Sequence, residues 1–237
     1  MENKFRETLQ NLLAGSGINW DRHILQQCGR YYALLVEENT KYNLTTITLP
    51  EEAAEKHFLD SLMLLPELDE CKASSVIDVG SGAGFPGLPI KIFRPALHMT
   101  LLDSAGKKTA FMDKIIYELG LGDARTVNAR AEEHAVAQRE SYDAALSRAV
   151  AELRVLAELT LPLVKVGGKV ILSKGPGARE EIKAAANALK ILGGKVETVR
   201  ELTLPAGGYR TVVKIEKISA TPAKYPRRPG MPGKKPL

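Results

Sequence analysis

The segment SVIDVGSGAGFPGLPI, residues 75–90, limits the possible fold of this chain more than any other feature. An apolar run ends at Asp78, a glycine-rich loop follows, and a helical pattern begins directly after it. Glycine has no Cβ and tolerates positive φ, so such a loop lets backbone approach a ligand closely. The next helix would present free N–H groups to that ligand. A tight turn needs only one or two glycines, whereas this loop has Gly80, Gly82, Gly84 and Gly87. The segment therefore predicts a ligand-binding loop after a strand of an α/β sheet.

Apolar runs alternate with helical stretches from residue 75 onward, which is typical of a parallel sheet built from βαβ units. The predicted strands are 75–79, 98–103, 124–128, 142–147, 167–173, 195–204 and 210–217. The predicted helices are 87–94, 106–120, 150–165 and 178–192. The connection around Pro205 to Gly208 is too short for a crossover helix, so the last two strands should form an antiparallel hairpin. We expect an α/β fold with a mostly parallel seven-stranded sheet that ends in this hairpin.

Apolar residues at helical spacing occupy most of the first 70 residues. They predict a helix over 3–14, a second over 21–39 with Asp21 as its N-cap, and a third from Pro50 through Leu65. The chain then divides into three regions. We expect a helical extension over 1–70, a sheet domain over 71–219 and a tail over 220–237.

The net charge of +5 is concentrated in the tail. Its basic residues are Lys224, Arg227, Arg228, Lys234 and Lys235, and it has no acidic residue, so the rest of the chain has 28 basic against 28 acidic residues. Five of the thirteen prolines also lie there. This composition predicts an extended or disordered basic arm suited to a polyanion, with a solubilising tail as the alternative.

Composition also excludes several classes of protein. The chain has no run of about 18 apolar residues, and its polar start MENKFRETLQ is unlike a secretory signal. Its two cysteines, Cys28 and Cys71, form no CxxC pair, and its four histidines show no HExxH spacing. We expect a cytoplasmic protein that neither enters a membrane nor binds a metal.

Two carboxylates restrict the classes of ligand that the glycine loop could bind. The spacing is GxGxG rather than GxGxxG, and Asp78 stands two positions before the first glycine, where it would repel a diphosphate and attract an amino group or a sulfonium. Asp103 ends the second predicted strand, 19 residues after Gly84, where an acidic side chain can bind both ribose hydroxyls. There is no GxxxxGK[ST] motif. Together these features indicate S-adenosylmethionine.

Seven stretches of the chain, in order, resemble the RsmG (GidB) family. They are NLTTIT (43–48), KHFLDSL (56–62), DVGSGAGFPGLPI (78–90), LLDSAGKKTAF (101–111), RAE (130–132), SRAVAEL (147–153) and the closing KYPRRPGMPGKKPL (224–237). The resemblance covers nearly the whole chain. It implies a Rossmann-like class I methyltransferase that modifies N7 of one guanine in the decoding-centre hairpin of bacterial 16S ribosomal RNA.

The same resemblance implies roles for individual residues. With Asp78, Gly82 and Gly84 from the glycine loop itself, the predicted cofactor-binding set is Asp78, Gly80, Gly82, Gly84, Phe85, Asp103, Ser104, Ala131, Glu132 and Arg148. Gly80 and Phe85 would line the methionine and adenosine side, Asp103 and Ser104 the ribose, and Ala131 with Glu132 the adenine end. Arg148 would close the site and is the candidate catalytic residue, since it could orient the guanine. Each of three residues also has a structural alternative: Glu132 could begin a helix, Phe85 could be core, and Arg148 could pair with a carboxylate. We predict a structural role for His57 and Asp60.

The chemistry needs few reactive side chains. Guanine N7 has an in-plane lone pair and no proton, so its methylation requires no general base. Methylation of cytosine C5 would need a cysteine nucleophile near the ends of the later strands, but both cysteines precede the glycine loop. Enzymes that methylate amino groups usually have Asn or Asp, then Pro-Pro and an aromatic residue, after the fourth strand. This chain has SRAVA there, so methylation of an amino group is also disfavoured. Positioning should therefore supply most of the catalysis.

The partner would be 16S ribosomal RNA or the small ribosomal subunit. Candidate contacts, besides Arg148, are Lys107, Lys108, Arg130, Lys174, Arg227 and Arg228. Ordinary solvated lysines are the alternative at 107 and 108. A methyltransferase on another RNA or a small molecule, and a non-catalytic RNA-binding fold, are the competing functions. We expect a monomer, although no pattern determines the oligomeric state.

Overall fold

Seven strands form one sheet in the computed structural model, which describes residues 1–148 and 151–237. The strands are β1 (Ser75–Val79), β2 (His98–Asp103), β3 (Ala124–Asn128), β4 (Tyr142–Arg148), β5 (Val164–Lys174), β6 (Gly194–Thr203) and β7 (Tyr209–Lys217). They lie in the order β3-β2-β1-β4-β5-β7-β6. The first five of this order are parallel, and β7 is antiparallel to both β5 and β6. The predicted mostly parallel sheet with a terminal hairpin is confirmed.

Helices cover both faces of the sheet and build the N-terminal extension. They are α1 (Glu2–Ala14), α2 (Arg22–Asn39), α3 (Pro50–Ala53), α4 (Asp60–Leu62), α5 (Leu65–Glu70), α6 (Gly87–Phe93), α7 (Gly106–Glu118), α8 (Ala131–Ala137), α9 (Leu153–Thr160), α10 (Ala178–Ala184), α11 (Ala186–Leu192) and α12 (Met231–Lys234). A π-helical segment, Ala54–Leu59, joins α3 to α4, and a 3-10 turn, Leu161–Leu163, follows α9. No helix within the described ranges is both long and apolar enough to span a bilayer.

Successive side chains of the strands point to two hydrophobic cores. In β1, Val76 belongs to the core that contains α1, α2 and α6, whereas Ile77 and Val79 belong to the core that contains α9 and α11. A parallel strand covered on both faces is apolar at nearly every position, which explains the near-continuous apolar runs of the sequence, with the buried Asp78 as the exception in β1. The carboxyl ends of β1 to β4 therefore open at one edge between two helical layers.

The N-terminal extension shares its core with the sheet domain. Phe5 stacks on Tyr32 with ring centroids 4.5 Å apart, and Phe58 lies edge-on to Phe5 and to Phe85 at 4.8 and 5.5 Å. The predicted cap is present, because Asp21 Oδ1 accepts the N–H of Ile24 at 2.8 Å. These aromatic contacts connect α1 to the glycine loop through Phe58.

Several predicted helix boundaries are wrong. The helix expected over 150–165 ends at Thr160, because Pro162 lacks an N–H and Val164 already pairs with Tyr142 in the sheet. Residues 149 and 150, and with them the first position of that predicted helix, lie outside the described residues. The third predicted helix is divided by the π-helical segment, and the one over 178–192 is divided at Ala185.

The tail is folded against the sheet domain, so the expectation of an extended or disordered arm is wrong. Arg139 donates hydrogen bonds to the carbonyls of Thr221, Pro222 and Tyr225. The Tyr225 side chain is buried in the core that contains α9 and α11. Composition suggested disorder, but long-range hydrogen bonds to backbone carbonyls and one buried aromatic ring hold this segment in place.

Candidate functional site

A cavity of about 510 Å³ lies at the carboxyl ends of β1 to β4. Eight residues singled out from the sequence line it: Gly80, Asp103, Ser104, Lys108, Arg130, Ala131, Glu132 and Arg148. The remaining lining residues are Val79, Leu102, Ala129, Val155, Leu159, Gly230, Pro232 and Gly233. Its volume is in the range of small-molecule sites, and its position is where open parallel sheets bind ligands.

Asp103 is held in place by the glycine loop. Its Oδ2 accepts the N–H of Gly82 at 2.9 Å, its Oδ1 accepts the N–H of Ala105 at 2.9 Å, and Lys108 Nζ lies 4.0 Å from Oδ2. Gly80, Gly82 and Gly84 all have positive φ, between 60° and 99°, which L side chains rarely adopt. The glycines thus let the loop turn back onto a carboxylate that keeps acceptor capacity for a ligand.

Asp78 lies beneath the loop, outside the set of described residues that line the cavity. The side chain is fully buried, and its Oδ2 accepts the N–H of Gly87 at 2.9 Å. Within the described parts of the chain, no group donates to Oδ1. Burial raises the pKa of Asp78 to about 7, although the Gly87 N–H and the positive charge of Arg148 oppose the shift. A Cβ at position 87 would lie 2.9 Å from Oδ2, which accounts for this glycine.

The raised pKa of Asp78 makes the stability of the cofactor-free protein depend on pH. Between the unfolded pKa of 3.8 and the folded pKa of about 7, the folded state binds the extra proton, so stability falls as pH rises through this window. Each pKa unit corresponds to about 1.4 kcal/mol, and the total is about 4 kcal/mol. We therefore expect the stability of Asp78→Asn relative to the wild type to rise between pH 4 and pH 7. Above pH 8 this difference in stability should be constant.

Urea unfolding at several pH values would measure this difference. Asp143→Asn is the matched control: the pKa of Asp143 is lowered, since the hydrogen bonds from Lys165, Ser74 and Ser75 outweigh its burial, so this carboxylate is ionised throughout the window. The control should differ from the wild type by a constant amount between pH 5 and 8. A flat difference for Asp78→Asn would contradict the prediction.

Phe85 lies in an aromatic stack behind the cavity. Its ring is 4.4 Å from that of His57 and 5.2 Å from that of Tyr31, both nearly parallel to it, and the Arg148 guanidinium is 5.4 Å from its centroid. Phe85 is 5% exposed, and neither it nor Gly82 nor Gly84 is among the described cavity-lining residues. The structure thus favours the core alternative for Phe85, with the side chain supporting Arg148 from behind.

Arg148 is held by the N-terminal extension. Its Nη1 donates to the carbonyl of Lys56 at 2.9 Å and to Asp60 Oδ2 at 3.2 Å, and its Nη2 lies 3.5 Å from His57 Nδ1. The π-helical segment supplies the carbonyls of residues 56 and 57, as such segments do at functional sites. The guanidinium is therefore fixed on one side and forms part of the cavity wall on the other.

His57 and Asp60 support this arrangement. Burial and the charge of Arg148 lower the pKa of His57 to about 3, so the ring is neutral, and its Nε2 is 2.8 Å from Thr45 Oγ1. Asp60 accepts hydrogen bonds from both Arg148 and Arg210 and is almost fully buried. The two guanidiniums pair the charge of this buried carboxylate, which would be strongly destabilising if either partner were removed. Their structural role, expected from the sequence, is thus specifically to hold Arg148.

Glu132 occupies the first turn of α8, and its Oε1 accepts the N–H of Gly230 at 2.8 Å. Glu132 therefore stands at a helix start and also lines the cavity, and its contact with the cofactor stays a prediction. The partner in the tail could not be foreseen. Helical periodicity carries no information about contacts between positions 98 residues apart.

The candidate RNA contacts divide into two groups. Lys107, Arg130 and Arg228 are exposed, and Lys108 is half-buried at the cavity wall. Two others face inward: Lys174 Nζ donates to the Ala151 carbonyl and pairs with Glu181, and Arg227 pairs with the fully buried Glu158 at 2.6 Å. RNA contact is therefore not supported at these two positions, because protein groups already satisfy their charges.

Sequence reasoning missed the apolar part of the cavity. Val155 and Leu159 come from α9, and Gly230, Pro232 and Gly233 come from the tail. Apolar residues on a helix indicate a core, and a Pro- and Gly-rich tail indicates disorder, so neither pattern signals a pocket. The resemblance of residues 224–237 to a family motif was the one signal that this segment matters.

Comparison with known proteins identifies close relatives. The family model described as GidB, rRNA small subunit methyltransferase G, matches residues 24–208. A protein from Alkaliphilus metalliredigens is 48% identical over 224 residues, which cover 93% of this chain and 94% of that protein. One from Acetivibrio thermocellus is 46% identical over 239 residues, covering 100% of this chain and 98% of that one. Both are named ribosomal RNA small subunit methyltransferase G.

Solved structures with lower identity share the fold. P. horikoshii TYW2 in complex with MeSAdo has a TM-score of 0.53 at 16% identity, covering 67% of this chain and 61% of that one. A mutant of the 16S rRNA (adenine(1408)-N(1))-methyltransferase from Catenulisporales acidiphilia has a TM-score of 0.52 at 17% identity, covering 65% of this chain and 91% of that one. The predicted Rossmann-like fold class is confirmed.

Proposed function

The chain belongs to the rRNA small subunit methyltransferase G family, and from this premise we propose that it transfers a methyl group from S-adenosylmethionine to N7 of one guanine in the decoding-centre hairpin of 16S ribosomal RNA. One observation carries the proposal. Four separate family-like motifs, which contain Gly80, Asp103, Glu132 and Arg148, meet around a single cavity at the carboxyl edge of the sheet.

The residues at the cavity fit S-adenosylmethionine. Asp103 retains acceptor capacity for ribose hydroxyls, while Ala129, Ala131, Val155 and Leu159 offer apolar surface for a flat base. In its ionised form the buried Asp78, whose Oδ1 accepts no hydrogen bond within the described residues, adds negative potential beneath the loop, which favours a cationic ligand. When bound, the cofactor supplies an electrophilic methyl group on a sulfonium.

The protein's own contribution is positioning. N7 carries a lone pair and no proton, so no side chain has to remove one, and the neutral, buried His57 is not needed as a base. Within the described residues, Arg148 contacts residues 56, 57 and 60 through Nη1 and Nη2, and we propose that its remaining N–H donors bind the ligand. A donor on guanine O6 would orient the base and leave N7 free to react.

The RNA would reach the cavity with the target base splayed from its stack. Lys107, Arg130 and Arg228 are the exposed cations proposed to contact the phosphates, and the Lys107 ammonium lies 5.6 Å from the ring centroid of the exposed Tyr42. A ribosomal substrate implies a cytoplasmic protein. We take the active form to be a monomer.

Substitution of these cations should change the affinity for the small subunit and leave the affinity for the cofactor unchanged. We expect Lys107→Ala and Arg228→Ala each to weaken binding to small subunits and to reduce the slope of log Kd against log salt by about 0.7 to 0.9, because each removes one phosphate contact. Filter binding at several salt concentrations would give the slopes. Lys183→Ala, at an exposed position on α10, is the control that should keep the wild-type slope. Unchanged slopes in both variants would remove these residues from the RNA surface.

The function is tested by incubating the protein with labelled S-adenosylmethionine and 30S subunits from a strain that lacks the gene. Chemical cleavage at 7-methylguanine then locates the label. A single labelled guanine in the decoding-centre hairpin is the expected result. Label at another site or on another RNA would change the substrate, and cofactor binding without any methyl transfer would favour a non-catalytic RNA-binding protein.

A further inference from the structure

The tail contributes one wall of the cavity. Gly230, Pro232 and Gly233 line it, and the other apolar lining comes from the sheet, from Ala129 and Ala131 after β3, and from Val155 and Leu159 of α9. Helix α12 contains Pro232 and Gly233 and packs on α9. A flat base such as adenine is best bound between apolar surfaces, and without the tail this part of the site would be open to solvent.

Three anchors hold the tail in this position. The first is Arg139, which binds the carbonyls of residues 221, 222 and 225. The second is Arg227, whose backbone N–H and guanidinium both bind Glu158, a carboxylate with no exposed surface. A buried carboxylate is strongly destabilising unless it is paired, so this ion pair favours the docked tail.

The third anchor lies at the cavity itself. Glu132, from the first turn of α8, accepts the Gly230 N–H through Oε1 at 2.8 Å. The same side chain belongs to the cavity wall, so one carboxylate joins the position of the tail to the shape of the site. Gly230 has a φ of +80°, a conformation that lets the chain turn there into α12.

We propose that the segment Gly230–Gly233 of the tail forms the adenosine-binding wall of the cofactor site. This inference rests on the proposed use of S-adenosylmethionine. It predicts that substitutions in this segment weaken the binding of every ligand that carries the adenosine group, whether or not that ligand has a methyl group to donate. The basic tail is then first a part of the cofactor site, and only its exposed cations remain for RNA.

Gly233→Leu is the sharpest test. A Cβ built at Gly233 meets no atom within 4 Å, so the first atom of a leucine side chain has open space at a position that lines the cavity. Leucine also favours helix more than glycine does, so α12 should not be weakened. We expect the affinity for S-adenosylmethionine, S-adenosylhomocysteine and 5′-methylthioadenosine to fall by about tenfold to a hundredfold, because the larger side chain would overfill the site. Calorimetry would measure the three affinities.

Gly15→Leu is the matched control, because Gly15 also has open space around its Cβ, has a φ of −100° and lies beyond the end of α1, remote from the cavity. A second variant, truncated after Arg227, removes the wall but keeps the Arg227–Glu158 anchor and the buried Tyr225. It should fold and bind the same three ligands about tenfold or more weakly. Thermal unfolding would verify the fold of all three proteins.

The outcomes separate this inference from the proposed function. Wild-type affinity for all three ligands in both Gly233→Leu and the truncated protein would overturn the adenosine wall and leave the proposed function intact. Weakened binding of S-adenosylmethionine alone would also overturn it, because the adenosine group is common to the three. Absence of cofactor binding by the wild-type protein would instead refute the proposed function.

Discussion

Replacing Arg148 with alanine is expected to lower turnover on small ribosomal subunits by about 100-fold to 1000-fold, while affinity for S-adenosylmethionine falls much less. The guanidinium is fixed by hydrogen bonds to Lys56 and Asp60, and Arg148 also lines the cavity. A donor held in place before the substrate arrives needs no reorganisation during the reaction. Its removal therefore affects the transition state more than the bound cofactor.

Three further variants make this prediction specific. Asp103→Ala should show the opposite pattern, with cofactor affinity reduced by about tenfold or more, because a charged hydrogen-bond acceptor at the ribose contributes about 1.5 to 3 kcal/mol. Arg148→Lys keeps the charge but loses the planar fork, so it should remain strongly impaired. Arg179→Ala, in an exposed ion pair with Glu201, should be active. Equal losses of turnover and cofactor affinity in Arg148→Ala would refute the division of roles.

Replacing Arg227 with alanine is expected to destabilise the folded protein by about 3 to 5 kcal/mol. Glu158 has no exposed surface, and Arg227 binds both of its carboxylate oxygens at 2.6 to 3.2 Å. Without the guanidinium a carboxylate would remain unpaired in the interior, or the tail would leave its place to let water in. For a chain of this length the loss corresponds to a fall in Tm of about 10 °C.

A double-mutant cycle separates the buried charge from the remaining contacts. The Glu158→Gln, Arg227→Ala double variant contains no unpaired carboxylate, so it should recover a large part of the stability lost in Arg227→Ala. Lys234→Ala, an exposed tail residue in α12, is the control and should lie within about 0.5 kcal/mol of the wild type. Additive effects of the two substitutions would show that the ion pair does not hold the tail.

Some parts of this molecule can be predicted from its sequence much better than others. The strand–loop–helix unit over 75–90 was predictable because its signals are local: an apolar run, glycines that must adopt positive φ, and a helical pattern directly after them. The position of Asp103 followed in the same way, since parallel strands end at one edge of the sheet. The strands other than β5 were predicted to within one residue at each end, because apolar runs and turn residues are local signals.

The neighbours of each site residue were decided by the tertiary structure. Phe85 lies in the stack with His57, behind the cavity, because the N-terminal extension covers the glycine loop. Arg148 depends on carbonyls and a carboxylate that precede it by about 90 residues, and Glu132 meets a tail that composition described as disordered. Local pattern determines which backbone conformations are favourable, and it therefore determined the sheet and its loop. Burial and charge pairing act between residues far apart in the chain, so only the folded structure brought the extension, Arg148 and the tail to one cavity.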